Sequence, residues 1–115
     1  MKGSECCGSL PAIEDALYVI GGKWKLRITL VLIESGAMRF NELQRTLKNI
    51  SPRVLSHELK ELELNGFVKR TVYATATPVV VEYGATEYSL TLKKVLETLV
   101  EWGKMHRQKI KEIHQ

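Results

Sequence analysis

In the stretch Ser51-Pro52-Arg53-Val54-Leu55-Ser56-His57-Glu58-Leu59-Lys60-Glu61-Leu62 the apolar residues recur with the period of a helix. Leu55, Leu59 and Leu62 fall on one stripe, with Val54 beside them. When that stripe turns inward, Arg53, Ser56, His57 and Lys60 share the outward face. All four are hydrogen-bond donors that can reach phosphate oxygens or the edges of nucleobases. Arg53 stands in the first turn, where backbone N–H groups also point at an anion. The same helix carries Glu58, Glu61 and Glu63, so the competing reading is an ordinary solvated face. This is chemistry of recognition, not of bond making.

No catalytic constellation is apparent elsewhere. Gly21-Gly22-Lys23-Trp24 lacks the six-residue frame and the Lys-Ser/Thr pair of a phosphate loop, and reads as a helix boundary. The remaining carboxylates are spread along helices among lysines, as on solvated faces. The chain is expected not to be an enzyme and to need no cofactor. Its two cysteines, Cys6 and Cys7, are adjacent and close almost no loop, so they cannot form a stabilising framework. His57, His106 and His114 stand at no metal-like spacing from them, so no metal site is expected. Cys6 and Cys7 remain as candidate redox thiols.

The elements that would position the donor face follow from pattern. Met1 to Leu10 is expected to be a flexible leader, and Pro11 to occupy the first turn of a helix bearing Ile13, Leu17 and Ile20. Gly21-Gly22 ends it. A second helix is predicted from near Lys23 to Ser35-Gly36, with Trp24, Ile28, Val31 and Leu32 on one stripe. Asn41 is the expected cap of a short third helix that buries Leu43 and Leu47. Lys48-Asn49-Ile50 is a tight connection, Ser51 caps the next helix, and Asn65-Gly66 ends it.

After Gly66 the residues become β-branched and aromatic. "FVKRTVYA" and "VVVEY" read as two strands with Pro78 at the turn. A long amphipathic helix is predicted from Thr86 onward, with Tyr88, Leu92, Val95, Leu99 and Trp102 on one face and Met105, Ile110 and Ile113 extending it. The fold class is therefore α+β, mostly α: a winged helix-turn-helix over residues 11–85 and a long C-terminal helix over 86–115 in the same compact domain.

Seventeen Lys and Arg against thirteen Asp and Glu give a net charge of +4, which leans toward a polyanionic partner. Lys23, Lys25, Arg39, Lys48, Ser51, Lys69 and Arg70 are scattered where a duplex backbone could pass, as phosphate contacts that position without reading sequence. No apolar run reaches the roughly 18 residues of a membrane span. With no secretory pattern at the N-terminus, a cytoplasmic location is expected.

"IEDALYVIGGKWKL", "RFNELQRTLKNISPRVLSHELKELELNGFVKR" and the "VEY" and "EWG" segments together resemble the HxlR-type winged-helix transcriptional regulators, over roughly Pro11 to Gly103. The resemblance implies a prokaryotic regulator that binds double-stranded operator DNA as a homodimer. It implies a recognition helix at Ser51–Asn65, a wing at Val68–Tyr83, and dimerisation through the N- and C-terminal helices. Several members sense oxidants through a cysteine in a Cys-Pro pair before the first helix. Pro11 and Ala12 occupy those places here, with Cys6 and Cys7 upstream. Val79 and Val80 stand where a basic wing tip is common, and Ser89 where the last helix often has Gly. Those acids on the fourth helix and that uncharged tip motivate a second hypothesis, a protein-interaction module without a DNA target.

Overall fold

The computed structural model describes residues 3–114, with side chains from residue 8 onward. Five α-helices, α1 (Gly3–Ile20), α2 (Lys25–Ser35), α3 (Phe40–Leu47), α4 (Pro52–Leu64) and α5 (Lys93–Ile113), flank a hairpin of β1 (Val68–Tyr73) and β2 (Val80–Ala85). A 3₁₀ turn, Tyr88–Leu92, leads into α5.

One core is built mainly from α2, α3 and α4. Ile28 and Leu32 of α2 meet Leu43 of α3 and the α4 stripe of Leu55, Leu59 and Leu62, all essentially excluded from solvent. The stripe recurs every three or four residues, so one face of α4 is buried continuously while the opposite face stays in water. Trp24, Ile50, Phe67 and Val68 close the core at its edges. Burying a leucine of this kind is worth about 1.5–3 kcal/mol.

Local chemistry ends each element near the donor face. Ser51 caps α4 by accepting the Val54 N–H at 3.1 Å, and Pro52 fills the first helical position. At its other end Gly66 adopts φ +83°, and Phe67 N–H bonds back to Leu62 at 2.9 Å. Between α3 and α4, Lys48 (φ 58°) and Asn49 (φ 54°) both take left-handed backbone. The Gln44 amide donates to the Ile50 carbonyl at 3.2 Å and ties that turn shut. α3, this turn and α4 form the helix-turn-helix, and the hairpin is its wing.

The wing is antiparallel, with Val68 opposite Ala85, Arg70 opposite Tyr83 and Tyr73 opposite Val80. A bridge from Met38 to Tyr83 (2.9 and 2.8 Å) anchors it to the segment before α3.

Three boundaries and one burial depart from sequence expectation. The first helix begins at Gly3, so Gly3–Leu10 is helical rather than a leader, and Pro11 lies inside the helix. Met1 and Lys2 lie outside the described residues. The preference of a pre-proline residue for extended backbone is a local bias, and here the helix continues through it. Arg39, not Asn41, precedes the first residue of α3, because Glu42 reaches back to accept the Arg39 N–H at 2.9 Å. Thr86 does cap, accepting the Ser89 N–H at 3.1 Å, yet the turn it starts is 3₁₀ and the α-helix begins only at Lys93. Val54 is exposed instead of joining the buried stripe.

Left-handed backbone is strained at a residue carrying a Cβ, and Lys48 combines φ 58° with ψ 150°, a region natural to glycine. Lys48→Gly should therefore raise unfolding free energy by about 1 kcal/mol in urea denaturation, after the greater chain entropy of glycine is counted. A loss of stability would show that the turn does not hold this conformation.

Candidate nucleic-acid interface

The roll of α4 about its axis decides which side chains it offers to a partner. Its three acids do not share one environment. Lys25, at the start of α2, places its Nζ 2.7 Å from both Glu58 Oε1 and Glu61 Oε1, across 33 residues of sequence for the first of these. The Lys25 and Glu58 side chains are only 13% and 17% exposed. Glu58 therefore points back toward α2, away from the donor face. His57 also approaches Glu61, Nε2 to Oε2 at 3.4 Å.

These contacts move the titrations in opposite senses. Burial alone pushes the Lys25 ammonium down, but hydrogen bonds to Glu58 and Glu61, together with their charges, outweigh it and leave its pKa raised. The hydrogen bond from Lys25 holds the Glu61 carboxyl below its ordinary value, helped by the lysine charge and more weakly by His57. Lys25 is thus engaged by two carboxylates inside the fold, and does not present the free ammonium expected of a phosphate contact.

With Glu58 and Glu61 turned toward Lys25, the exposed side of α4 carries Arg53, Ser56, His57 and Lys60 in water. These four come together as expected. Leu64, 81% exposed, ends the same side. Lys48 and Ser51 lie at the entrance to α4, and Arg39 at the entrance to α3, all exposed. Lys23 lies over the Trp24 ring at 5.0 Å from its centroid, with Arg27 at 5.2 Å.

The two wing cations separate. Successive residues of a strand face opposite sides. Arg70 lines a cleft against α4, whereas Lys69 lines a different one with Gly36, Ala37 and Leu90. The side chains of Cys6 and Cys7 lie outside the described residues. Among the described residues no cluster of three His, Cys, Asp or Glu could hold a metal ion, and no helix is long and apolar enough to cross a membrane.

A short turn between α3 and α4, a capped second helix with a polar outer face, and an anchored hairpin directly after it are now in place. The HxlR-like helix-turn-helix family model matches residues 19–111. The chain belongs to the HxlR-like helix-turn-helix family. It is 43% identical over 108 residues to an HTH-type transcriptional regulator of Halalkalibacterium halodurans, covering 90% of this chain and 95% of that protein. The redox regulator HypR in its reduced form superposes with a TM-score of 0.80 at 40% identity, over 88% of this chain and 98% of the other. A MarR-family transcriptional regulator from Enterococcus faecalis gives 0.76 at 37% identity, over 90% and 92%. This HxlR-like protein is a regulator by kinship, and its relatives are not enzymes.

Two features of the interface escape sequence reasoning. The Lys25 bridge joins residues too far apart for any local pattern. Tyr83 faces α4 beside Arg70, and the register of the hairpin is the signal that would have found it.

The bridge has a pH signature. Glu61 has a folded pKa below its ordinary 4.5, so its stabilisation is complete above that value and is lost as pH falls through the folded one. Lys25 has a folded pKa above 10.5, so its stabilisation is complete below 10.5 and is lost only as pH rises beyond it. Glu61→Gln should then melt lower than the parent by a constant gap from about pH 6 to about pH 9, and the gap should close in acid. A gap that persists well below the carboxylate range, followed by circular dichroism, would contradict the bridge.

Proposed function

We propose that this HxlR-like protein binds double-stranded operator DNA as a homodimer and regulates transcription, with α4 in the major groove. The observation that carries the reading is the roll of α4: Lys25 draws Glu58 and Glu61 back, and Arg53, Ser56, His57 and Lys60 are left outward. Arg53 and His57 are the leading base readers, because Arg53 lies in the first turn and both project from the middle of the exposed side. Lys23, Arg39, Lys48, Ser51 and the wing cations Lys69 and Arg70 serve the phosphates.

Homodimerisation is supported by apolar surface that one copy leaves in water. Leu10, Ile13 and Leu17 of α1 are exposed, as are Val95, Leu99, Trp102, Met105, Ile110 and Ile113 of α5. Only Leu96 of α5 is buried. The radius of gyration is 17.3 Å, against about 13 Å for a compact domain of this length. An apolar stripe of that extent on a soluble regulator calls for a partner, and a second copy supplies the matching stripe through a two-fold axis. Two recognition helices would then enter successive major grooves about 34 Å apart.

Fluorescence anisotropy against duplex DNA at several salt concentrations tests the binding. Affinity should fall steeply with salt, as phosphate contacts release counterions. Arg53→Ala should cost about 1–3 kcal/mol on a selected site and relax one base position. A chain that binds no duplex even at low salt is instead the protein-interaction module that the acids of α4 and the uncharged wing tip would suit.

Leu99→Glu places a charge in the α5 stripe, and should shift sedimentation from dimer to monomer without lowering helix content. A parent chain that sediments as a monomer at micromolar concentration would refute the dimer.

A further inference from the structure

Between α4 and the wing lies a polar cleft of ≈ 450 Å³. Ser56, Leu59, Lys60 and Glu63 line it from the helix, and Arg70 and Tyr83 from the hairpin. Ser56, Lys60 and Glu63 follow one another at helical spacing along one flank of α4, the flank turned to the wing. Arg70 and Tyr83 stand directly opposite each other in the antiparallel register and so share a sheet face.

This geometry is fixed by backbone. Tyr83 N–H donates to Met38 O at 2.8 Å, and Met38 N–H donates to Tyr83 O at 2.9 Å. The wing therefore cannot slide along α4 without breaking that bridge. Among the described residues neither Lys60 nor Arg70 has a carboxylate within ion-pair distance, and every ion pair involves Lys25 or Glu61. Two residues with cationic side chains, Lys60 and Arg70, and two with hydroxyls, Ser56 and Tyr83, thus line one cleft with a single acidic residue, Glu63.

When a helix occupies the major groove and the adjoining hairpin reaches the next minor groove, one sugar-phosphate strand must cross between them. The cleft lies where that strand would run. We infer that it seats one phosphodiester of the strand separating the two grooves, clamped by Lys60 and Arg70 and hydrogen-bonded by Ser56 and Tyr83. Lys60 then belongs with the contacts that set register and not with the base readers. Tyr83 joins the interface as a neutral donor held in place by its own backbone bridge. Glu63 opposes the seat, so the site sits below its attainable affinity. The inference rests on the DNA-binding reading above.

The test uses the full chain, a duplex site selected from a random pool, and a scrambled duplex. Parent, Lys60→Ala, Arg70→Ala and the double variant are compared over a salt series. Each single change should reduce the magnitude of the slope of log affinity against log salt by about 1 and weaken both duplexes by the same factor. Neutral methylphosphonates are then placed one phosphate at a time. At one and the same position both single substitutions should become silent, and Tyr83→Phe should lose part of its effect there. Glu63→Gln should tighten both duplexes and steepen the slope. Lys60 and Arg70 are exposed and form no ion pair among the described residues, so melting temperatures should not move, which separates a binding loss from misfolding.

Three results overturn the seat alone: a change of base preference in Lys60→Ala, methylphosphonate positions that differ for Lys60 and Arg70, or no tightening in Glu63→Gln. A parent chain that binds no duplex at low salt overturns the DNA-binding reading and the seat with it.

Discussion

An amphipathic helix with three carboxylates can roll by tens of degrees and still bury its leucines, and each choice of roll offers a different face to a partner. In α4 the Lys25 ammonium narrows that choice. It lies 2.7 Å from Glu58 and from Glu61, in a setting where the lysine and Glu58 are largely out of water. At such a site the Coulomb attraction is less screened than at an open surface, and removing Lys25 leaves the Glu58 carboxylate desolvated without compensation. The bridge therefore acts as a register pin. Its cost in desolvation is offset by two charge-assisted hydrogen bonds, and its consequence is that the acidic edge of α4 faces α2.

That pin makes α2 the central element. It packs against α3, α4, β2 and α5, whereas α5 rests chiefly on α2 and the 3₁₀ turn. α1 adds little beyond Val19 and Ile20, which pack against the core. The apolar residues of a chain this small cannot all be covered by one core, since the fraction of surface buried falls with size. α2, the helix-turn-helix and the base of the wing take up that core. What remains apolar is pushed outward onto α1 and α5.

Much of this was legible in the sequence because it is local. Ser51-Pro52 marks the start of α4, and a leucine every three or four residues marks its buried stripe. Asn65-Gly66 marks its end, and the switch to β-branched residues marks the wing. Each rests on the conformational preferences of a few neighbouring residues. The misreadings have a different origin. Asn41 is a good cap by type, but Glu42 can serve the N–H of Arg39, one turn earlier, and the helix starts there. Thr86 and Ser89 satisfy each other so tightly, with Ser89 Oγ 2.6 Å from Thr86 O, that a 3₁₀ turn precedes α5. Lys25 looked like a free cation because its partners lie 33 residues away or more. Tertiary electrostatics of that kind leave no periodicity to read.

The same bridge bears on how α5 is joined to the helix-turn-helix. The turn at Lys48-Asn49, closed by Gln44, joins α3 to α4, and the Met38–Tyr83 bridge joins the wing to the start of α3. These contacts hold α3, α4 and the hairpin as one body. α5 reaches that body through α2 and through the 3₁₀ turn, where Thr86 Oγ1 donates to Gly66 O and Tyr88 stacks on Phe67 at 5.1 Å. α5 thus meets that body at two places: near the C-terminus of α4 through Gly66, and at the acidic edge of α4 through α2 and Lys25. The donor face is therefore held by the same helix, α2, on which α5 rests.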